Sequence, residues 1–151
     1  MRVKLLLCQD DDWLYSQDAY SVYRHCMYSP TYEKYKNRIR RLYEDSTVSI
    51  WIAFRQNRPV GMLALRQDAY GRAEIEGISV REACRGLGVG RFMINEAIHA
   101  LHLTSLTAQT DADAVAFYRK CGFSMEQKVI AFSDGNVTRY DCIWIRRIES
   151  T

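Results

Sequence analysis

The spacing of apolar and polar residues divides the first third of the chain into a strand and two helices. Residues 3–8 form a short apolar run, which predicts a buried first strand. Residues 11–28 and 31–45 carry apolar side chains at helical spacing and predict two helices, separated by Ser29 and Pro30. The acidic triplet 10–12 supplies a helix cap and first-turn negative charge for the first of them.

Three strands are predicted next along the chain. Residues 47–54 are rich in β-branched and aromatic side chains, and the turn 56–59 leads from them into the apolar segment 60–67. Residues 72–80 alternate between polar and apolar positions and predict a third strand. Such consecutive strands, joined by short turns, form an antiparallel meander.

The remaining segments complete the predicted order of elements. A glycine-containing loop opens a helix, and the segment 103–109 predicts a short strand. Residues 111–122 predict a helix, and 123–132 and 137–145 predict two strands joined at residues 134–136. The order is βααβββαβαββ. It predicts a mixed α/β (α+β) fold with a central, mostly antiparallel, twisted sheet of about seven strands, flanked on both faces by about four helices.

Composition narrows the class of protein. The 151 residues suffice for one domain with its own core, and a net charge of +3 gives no argument for nucleic-acid binding. The five cysteines form no Cys-x-x-Cys pair, which favours reduced thiols in a cytoplasmic protein and no metal site. The apolar run near the N-terminus is too short for a signal peptide or a membrane span.

The glycine loop, residues 85–90, carries the first chemical signal. It follows a predicted strand and opens a helix whose apolar stripe consists of Val89, Met93, Ala97 and Leu101. Unpaired amides at the start of a helix attract phosphate oxygens, and glycines let a phosphate approach the backbone. The alternative is a tight turn with a solvated arginine. The loop lacks the lysine of a P-loop and does not fit the dinucleotide fingerprint.

Two segments resemble the motifs of one enzyme family. RGLGVG, after IEGISV, resembles the acetyl-coenzyme A (acetyl-CoA) binding motif of the GNAT acetyltransferases. DADAVAFYRKCGF resembles the later motif of that family. The residues on the motif positions are Arg85, Gly88 and Gly90, then Ala114, Phe117, Tyr118, Gly122 and Phe123. The resemblance covers nearly the whole chain and implies one GNAT-like domain, residues 1–151, that uses acetyl-CoA as cosubstrate and no metal.

The resemblance also implies where the coenzyme binds. The implied contacts are Ile78, Ser79, Val80, Arg85, Gly86, Leu87, Gly88, Val89, Gly90, Arg91, Asp111, Ala114, Phe117 and Tyr118. The diphosphate would bind the glycine loop, and the pantetheine arm would enter a gap beside the strand 72–80. Asp111 stands where the family usually has asparagine, which weakens the transfer of that side-chain contact. Asp111 could instead cap the following helix, with the capping-box spacing of Thr110 and Asp113.

Acetyl transfer to an amine needs a base, because an alkylamine with a pKa of about 10.4 is protonated at neutral pH. Glu74 and Glu76 alternate along one strand and should share a face, where mutual repulsion would raise one pKa. By resemblance the catalytic carboxylate lies on this strand, and the EGI at Glu76 is similar to that of aminoglycoside 6′-acetyltransferases. The alternative is that either glutamate is a solvated strand residue.

Tyr118 is the candidate acid. A phenol with a pKa of about 10 stays protonated at neutral pH and can donate to a departing thiolate. Its position in the later motif implies this role, and the alternative is a core aromatic beside Phe117.

The resemblance further implies that the first two predicted helices cover the acceptor site. They hold seven of the ten tyrosines, which could wall a pocket or pack on the sheet. Acidic residues there would favour a cationic amine, although Arg38, Arg40 and Arg41 make the local charge mixed.

The sequence therefore favours transfer of acetyl to a primary amine of a small molecule, with a cationic, aminoglycoside-like acceptor as one form. The alternatives are a protein or peptide N-acetyltransferase, for which the length leaves little room, and a non-catalytic acetyl-CoA-binding module. No nucleic acid and no membrane are expected as partners, and a homodimer is left open.

Overall fold

The computed structural model describes residues 2–147, and these contain a seven-stranded sheet. The strands are β1 (Lys4–Leu7), β2 (Val48–Arg55), β3 (Arg58–Gln67), β4 (Arg72–Val80), β5 (Ser105–Thr110), β6 (Ser124–Phe132) and β7 (Gly135–Ile145). Their order across the sheet is β1-β2-β3-β4-β5-β7-β6. Neighbouring strands are antiparallel except β4 and β5, which are parallel. The predicted mixed, mostly antiparallel sheet is confirmed.

Helices pack on both faces of the sheet. They are α1 (Asp11–Leu14), α2 (Gln17–Tyr23), α3 (Tyr32–Glu44), α4 (Val89–Ala100) and α5 (Val115–Lys120). Residues of α1, α2 and α3 share one apolar core with Ile50, Met62 and Ala64 of the sheet. Residues of α4 and α5 share a second core with Leu63, Leu65 and other sheet residues. The sheet is therefore the middle of three layers.

The first predicted helix, residues 11–28, is broken in the structure. Ser16 has an extended backbone (φ −82°, ψ 161°), and its hydroxyl accepts a hydrogen bond from the Ala19 amide at 3.1 Å. Serine in this position caps a new helix, so α2 begins here. A 3₁₀ turn, Arg24–Cys26, follows α2 and ends the helical run before the predicted boundary.

The prediction of a buried first strand is wrong. β1 lies at an edge of the sheet, paired with β2, and Leu6 and Leu7 are 54 % and 45 % exposed. Hydropathy alone cannot separate an edge strand from a buried one, because its neighbours decide how much is covered.

Two other boundaries differ from the prediction. The hairpin between β6 and β7 turns at residues 133–134 rather than 134–136, since Phe132 already pairs with Gly135. Helix α5 begins at Val115 rather than at residue 111, because a turn precedes it.

The predicted apolar stripe of α4 is confirmed. Val89, Met93 and Ala97 are buried against the sheet, and Leu101 is partly buried. This packing fixes the start of α4 beside the end of β4 and so positions the glycine loop.

Candidate active site

A cleft opens where β4 and β5 separate. The two strands pair at three positions, from Arg72 opposite Ser105 to Glu74 opposite Thr107. Beyond Glu74 the β5-facing edge of β4 has no strand partner, and a cleft of about 1080 Å³ lies there. A gap between β4 and its parallel neighbour β5 is therefore present beside the strand 72–80, where the resemblance implied one.

The glycine loop forms one end of the cleft. Gly86 and Gly88 have left-handed backbones (φ +78° and +83°), and a Cβ on either would meet nothing within 4 Å. Helix α4 begins directly after Gly88 and has no side-chain cap. The amides of its first turn, from Val89 onward, therefore lack both intrahelical and side-chain acceptors. They carry the positive end of the helix dipole, which suits an anion.

Gly90 has a different reason to be glycine. It is helical and buried, and a Cβ there would lie 2.9 Å from Cε1 of Phe117. The missing side chain lets the ring of Phe117 pack directly on the first turn of α4. The glycine loop motif and the later motif are therefore in contact, through Gly90 and Phe117.

The structure brings nearly all predicted site residues to this cleft. Its lining includes Glu74, Glu76, Ile78, Ser79, Val80, Arg85, Gly86, Gly88, Val89, Gly90, Arg91, Asp111, Ala114, Phe117 and Tyr118. Leu87 does not line the cleft, and its side chain is 47 % exposed. The side chain of Ser79 is turned away into the layer of α2, where it donates to the Val22 carbonyl at 2.6 Å. Ser79 can therefore contribute only its backbone.

Tyr118 lies on α5 and combines burial with access to the cleft. Its ring packs edge-on against Phe117 and Phe123, with centroids 5.1 and 5.3 Å away. The residue is 5 % exposed, and this burial raises the pKa of the Tyr118 phenol above its ordinary value. The hydroxyl therefore stays protonated at neutral pH. The core packing that was the alternative to a catalytic role is present, and Tyr118 also lines the cleft. Its role as the acid stays a prediction.

Asp111 serves as a local cap. Its Oδ1 accepts hydrogen bonds from the amides of Asp113 and Ala114, both at 3.0 Å. This holds the turn that leads into α5. The carboxylate bonds its own loop, as an aspartate in place of asparagine can.

A β-bulge in β4 sets the position of Glu76. Ile75 pairs with Leu65 and Gly77 with Ala64, so Glu76 has no partner on β3. Glu74 lies opposite Arg66, and the Arg66 side chain also bonds Glu76. Both glutamates therefore lie on the face covered by α2 and α3, as the alternation predicts.

Glu76 is held by two arginines that the sequence did not assign to the site. Nε of Arg66 donates to Oε1 of Glu76 at 2.8 Å, and Nη2 of Arg38 donates to the Glu76 carbonyl at 2.8 Å. Arg38 lies next to Ile39, which is fully buried in the apolar stripe of α3. This position beside the stripe was the available sequence signal that Arg38 lies near the sheet. The side chain of Glu74 is exposed and makes no hydrogen bond within residues 2–147.

The segment after α2 forms another side of the cleft. His25, Cys26, Met27 and Tyr28 line it, and sequence reasoning gave none of the first three a role. Five of the seven tyrosines in this region pack instead: Tyr23 and Tyr35 are fully buried, and Tyr15, Tyr20 and Tyr32 are partly buried against the same core. Burial raises the pKa of the Cys26 thiol to about 11, so this thiol is protonated at neutral pH.

A second cavity of about 550 Å³ adjoins the first. It shares Glu74 and Gln109 with the cleft, and Glu126 and Asp141 add two further carboxylates to its lining. Asp141 is paired with Lys128. The cleft therefore continues along the sheet into an acidic groove.

Two features are absent from residues 2–147. No cluster of three or more histidine, cysteine, aspartate or glutamate side chains is placed to hold a metal ion. None of the described helices has the length and apolar character needed to span a membrane.

Comparison with known proteins places this geometry in context. Residues 13–123 match the family model described as Acetyltransferase (GNAT) family. Serotonin N-acetyltransferase 2, chloroplastic, from Oryza sativa subsp. japonica is 28 % identical over 102 residues. That match covers 63 % of this chain and 50 % of the relative, so the chain spans about half the relative's length.

Solved structures share the fold over nearly the whole chain. The ribosomal-protein-S18-alanine N-acetyltransferase from Escherichia coli has a TM-score of 0.72 at 13 % identity, covering 99 % of this chain and 97 % of that one. An acetyltransferase from Bacillus subtilis in complex with CoA has a TM-score of 0.70 at 16 % identity, covering 97 % and 100 %. At these identities the likeness establishes the fold.

Proposed function

The chain belongs to the acetyltransferase (GNAT) family, and we propose that it transfers the acetyl group of acetyl-CoA to a primary amine of a small molecule. The family match confirms the expectation drawn from the two motifs. The proposal for this chain depends on one observation. The uncapped start of α4, the carboxylate of Glu76 and the hydroxyl-bearing residue Tyr118 all line one cleft at the separation of β4 and β5.

The glycine loop fits the diphosphate of the coenzyme. The open space above Gly86 and Gly88 lets phosphate oxygens reach the first-turn amides of α4, and Arg85 and Arg91 add positive charge. The unpaired edge of β4 offers backbone donors and acceptors from Ile78 to Val80 for the pantetheine arm. When bound there, the coenzyme supplies an acetyl thioester as the acyl donor.

Glu76 is proposed to take a proton from the acceptor ammonium, with Glu74 as the second candidate. The neutral amine can then form the new C–N bond at the thioester carbonyl while the C–S bond breaks. Amides on the open edge of β4 can donate to the carbonyl oxygen as negative charge develops on it. The nitrogen loses its second proton to water as the C–S bond breaks. Tyr118 gives its proton to the departing thiolate and regains one from water.

The cleft cysteines favour direct transfer over a covalent acetyl-cysteine. Burial raises the pKa of the Cys121 thiol as it does that of Cys26, and a protonated thiol is a weak nucleophile. These two cysteines are therefore assigned no chemical step.

The carboxylates support a small cationic acceptor. Glu74 stands at the junction of the cleft and the adjoining groove, where Glu126 adds a second negative charge. An amine that carries further positive charge would be attracted along this path. Peptide acceptors are the alternative.

The test is the release of free CoA thiol from acetyl-CoA in the presence of an amine panel. The panel should contain monoamines, diamines and aminoglycosides, with peptides of varied N-terminal residue as the matched set. We expect turnover with small amines, and lower turnover in Glu76→Gln at unchanged acetyl-CoA affinity. Turnover with peptides alone would contradict the small-molecule assignment.

A further inference from the structure

We propose that Arg66, on the neighbouring strand β3, is a positioning residue. It fixes the carboxylate of Glu76 for proton transfer. The proposal builds on the assignment of Glu76 as the base under the proposed function. Its starting point is the bulge in β4, which leaves Glu76 without a backbone pairing partner on β3. A residue in a bulge is not oriented by a regular ladder, so its side chain needs another constraint.

Arg66 supplies that constraint through a single contact. Its Nε donates to Oε1 of Glu76 at 2.8 Å, while Oε2 of Glu76 has no protein donor within residues 2–147. The guanidinium therefore occupies one carboxylate oxygen. The other remains available to a proton or an ammonium in the cleft.

Arg66 is itself fixed by the loop between α3 and β2. Its Nη1 donates to Oδ2 of Asp45 at 2.5 Å and to the hydroxyl of Thr47 at 3.1 Å. Oδ1 of Asp45 in turn accepts hydrogen bonds from the hydroxyl and the amide of Thr47, at 2.6 and 2.9 Å. A chain of contacts thus runs from the end of α3 through Arg66 to Glu76.

The main chain of Glu76 is held by a second arginine. Nη2 of Arg38, on α3, donates to its carbonyl oxygen, and the guanidinium of Arg38 lies 5.8 Å from the ring centre of Tyr23. Glu76 is therefore fixed at both carbonyl and carboxylate, by arginines of two different elements. This arrangement orients one residue more closely than an ordinary strand position would require.

Stability does not explain the pair of Arg66 and Glu76. The side chains are 42 % and 23 % exposed, and partly exposed ion pairs contribute little to folding because water screens them. The charge of Arg66 does, however, act on any proton that Glu76 accepts. A cation beside a carboxylate favours the ionised form, so loss of Arg66 should make Glu76 easier to protonate.

Asp45, Cys26 and Tyr23, which lie around Glu76 and the two arginines, do not change charge between pH 5 and 9. The pKa of Asp45 is lowered to about 2, first by the Thr47 hydroxyl and then by Arg66. Burial raises the pKa of the Cys26 thiol to about 11 and also raises that of the Tyr23 phenol. Arginine stays protonated in proteins, so Arg38 and Arg66 remain cations. These groups therefore do not account for a change in the pH profile when Arg66 is replaced.

The experiment compares Arg66→Gln and Arg66→Lys with wild type. The titration midpoint of the Glu76 carboxyl is measured by carbon-13 NMR in a Glu74→Gln background, which removes the neighbouring signal. The pH dependence of kcat/KM for the best amine is measured with Glu74 intact. Arg72→Gln is the matched control, since Arg72 forms a similar ion pair with Asp68 at 2.7 Å and does not line the cleft.

In Arg66→Gln we expect the Glu76 midpoint and the acidic limb of kcat/KM to move up together by about one pH unit, the low end for an adjacent charge. Arg66→Lys should restore most of the midpoint because it keeps the charge, with a residual loss of kcat because a lysine lacks the planar fork. The control should match wild type. Acetyl-CoA affinity and Tm should change little in all variants.

An unmoved Glu76 midpoint in Arg66→Gln would overturn the proposal. A moved midpoint with an unmoved acidic limb would support the coupling between the two side chains and overturn the assignment of Glu76 as the base. The two failures are thus distinguishable.

Discussion

Substitution of Gly88 by aspartate should separate coenzyme binding from folding. Gly88 precedes α4, its backbone is left-handed (φ +83°), and a Cβ there meets nothing within 4 Å. A side chain can therefore be added without steric overlap. The carboxylate of Gly88→Asp would stand at the uncapped helix start, where the diphosphate is proposed to bind.

The effect on folding should be small. A left-handed backbone costs a residue with a Cβ about 1 kcal/mol, and aspartate tolerates it better than most. A negative charge at a helix start returns roughly 0.3–1 kcal/mol. Gly88→Ala carries the same backbone cost without the charge. Gly88→Asp should therefore be at least as stable as Gly88→Ala.

The effect on binding should be large and in the opposite order. Two like charges about 4 Å apart repel by about 4 kcal/mol at an effective dielectric constant near 20. That energy corresponds to a loss of affinity on the order of 10³-fold. Gly88→Ala adds only a methyl group in the phosphate's path and should bind more weakly than wild type but much more tightly than Gly88→Asp.

The assay pairs calorimetric titration of acetyl-CoA with urea unfolding of the same three proteins. The control ligand is the acetyl thioester of pantetheine, which lacks the diphosphate and is titrated in the same way. We expect the aspartate to spare that weaker binding. Equal acetyl-CoA affinity in Gly88→Asp and Gly88→Ala would refute the placement of the diphosphate.

Three further changes test other parts of the structure. Tyr118→Phe should lower turnover about 10²-fold, with less loss for a thioester whose thiol leaves more readily, and steady-state kinetics with both donors decides it. Gly77→Ala should cost about 1–3 kcal/mol in urea unfolding, because its Cβ would overlap the buried Tyr23 hydroxyl; Tyr23→Phe should rescue part of this loss, since Cζ of the ring would still lie 2.9 Å away, and no rescue would contradict this contact. The pKa of Asp45 is lowered from 3.8 to about 2, so its stabilisation is complete above about pH 4 and lost as pH falls toward 2; Asp45→Asn should flatten urea stability over that range.

The sequence predicted those parts of the site that depend on local pattern. The glycine spacing and the stripe of Val89, Met93 and Ala97 together indicated an open helix start packed on a sheet, and the structure contains it. The alternation in β4 correctly placed Glu74 and Glu76 on one face. These features need only the order of residues along the chain and the geometry of one element.

Features that depend on how distant segments meet were not predictable. The bulge at Glu76 follows from the register of β3 against β4, and the contact with Arg66 follows from the bulge. The edge position of β1 depends on which strands lie beside it. In α2 and α3 the tyrosine spacing fitted both packing on the sheet and the wall of a pocket. Tyr23 and Tyr35 contact each other and are buried, so these two side chains pack in the core.

The central claim is that one cleft holds the coenzyme's diphosphate at the start of α4 and its sulfur between Glu76 and Tyr118. A crystal structure of the complex with CoA tests this most directly. We predict phosphate oxygens within hydrogen-bond distance of the amides of Val89 and Gly90, and the thiol on the open edge of β4 with the Tyr118 hydroxyl beside it. A coenzyme bound with its diphosphate away from Gly88, or with its sulfur outside the gap between β4 and β5, would contradict the account.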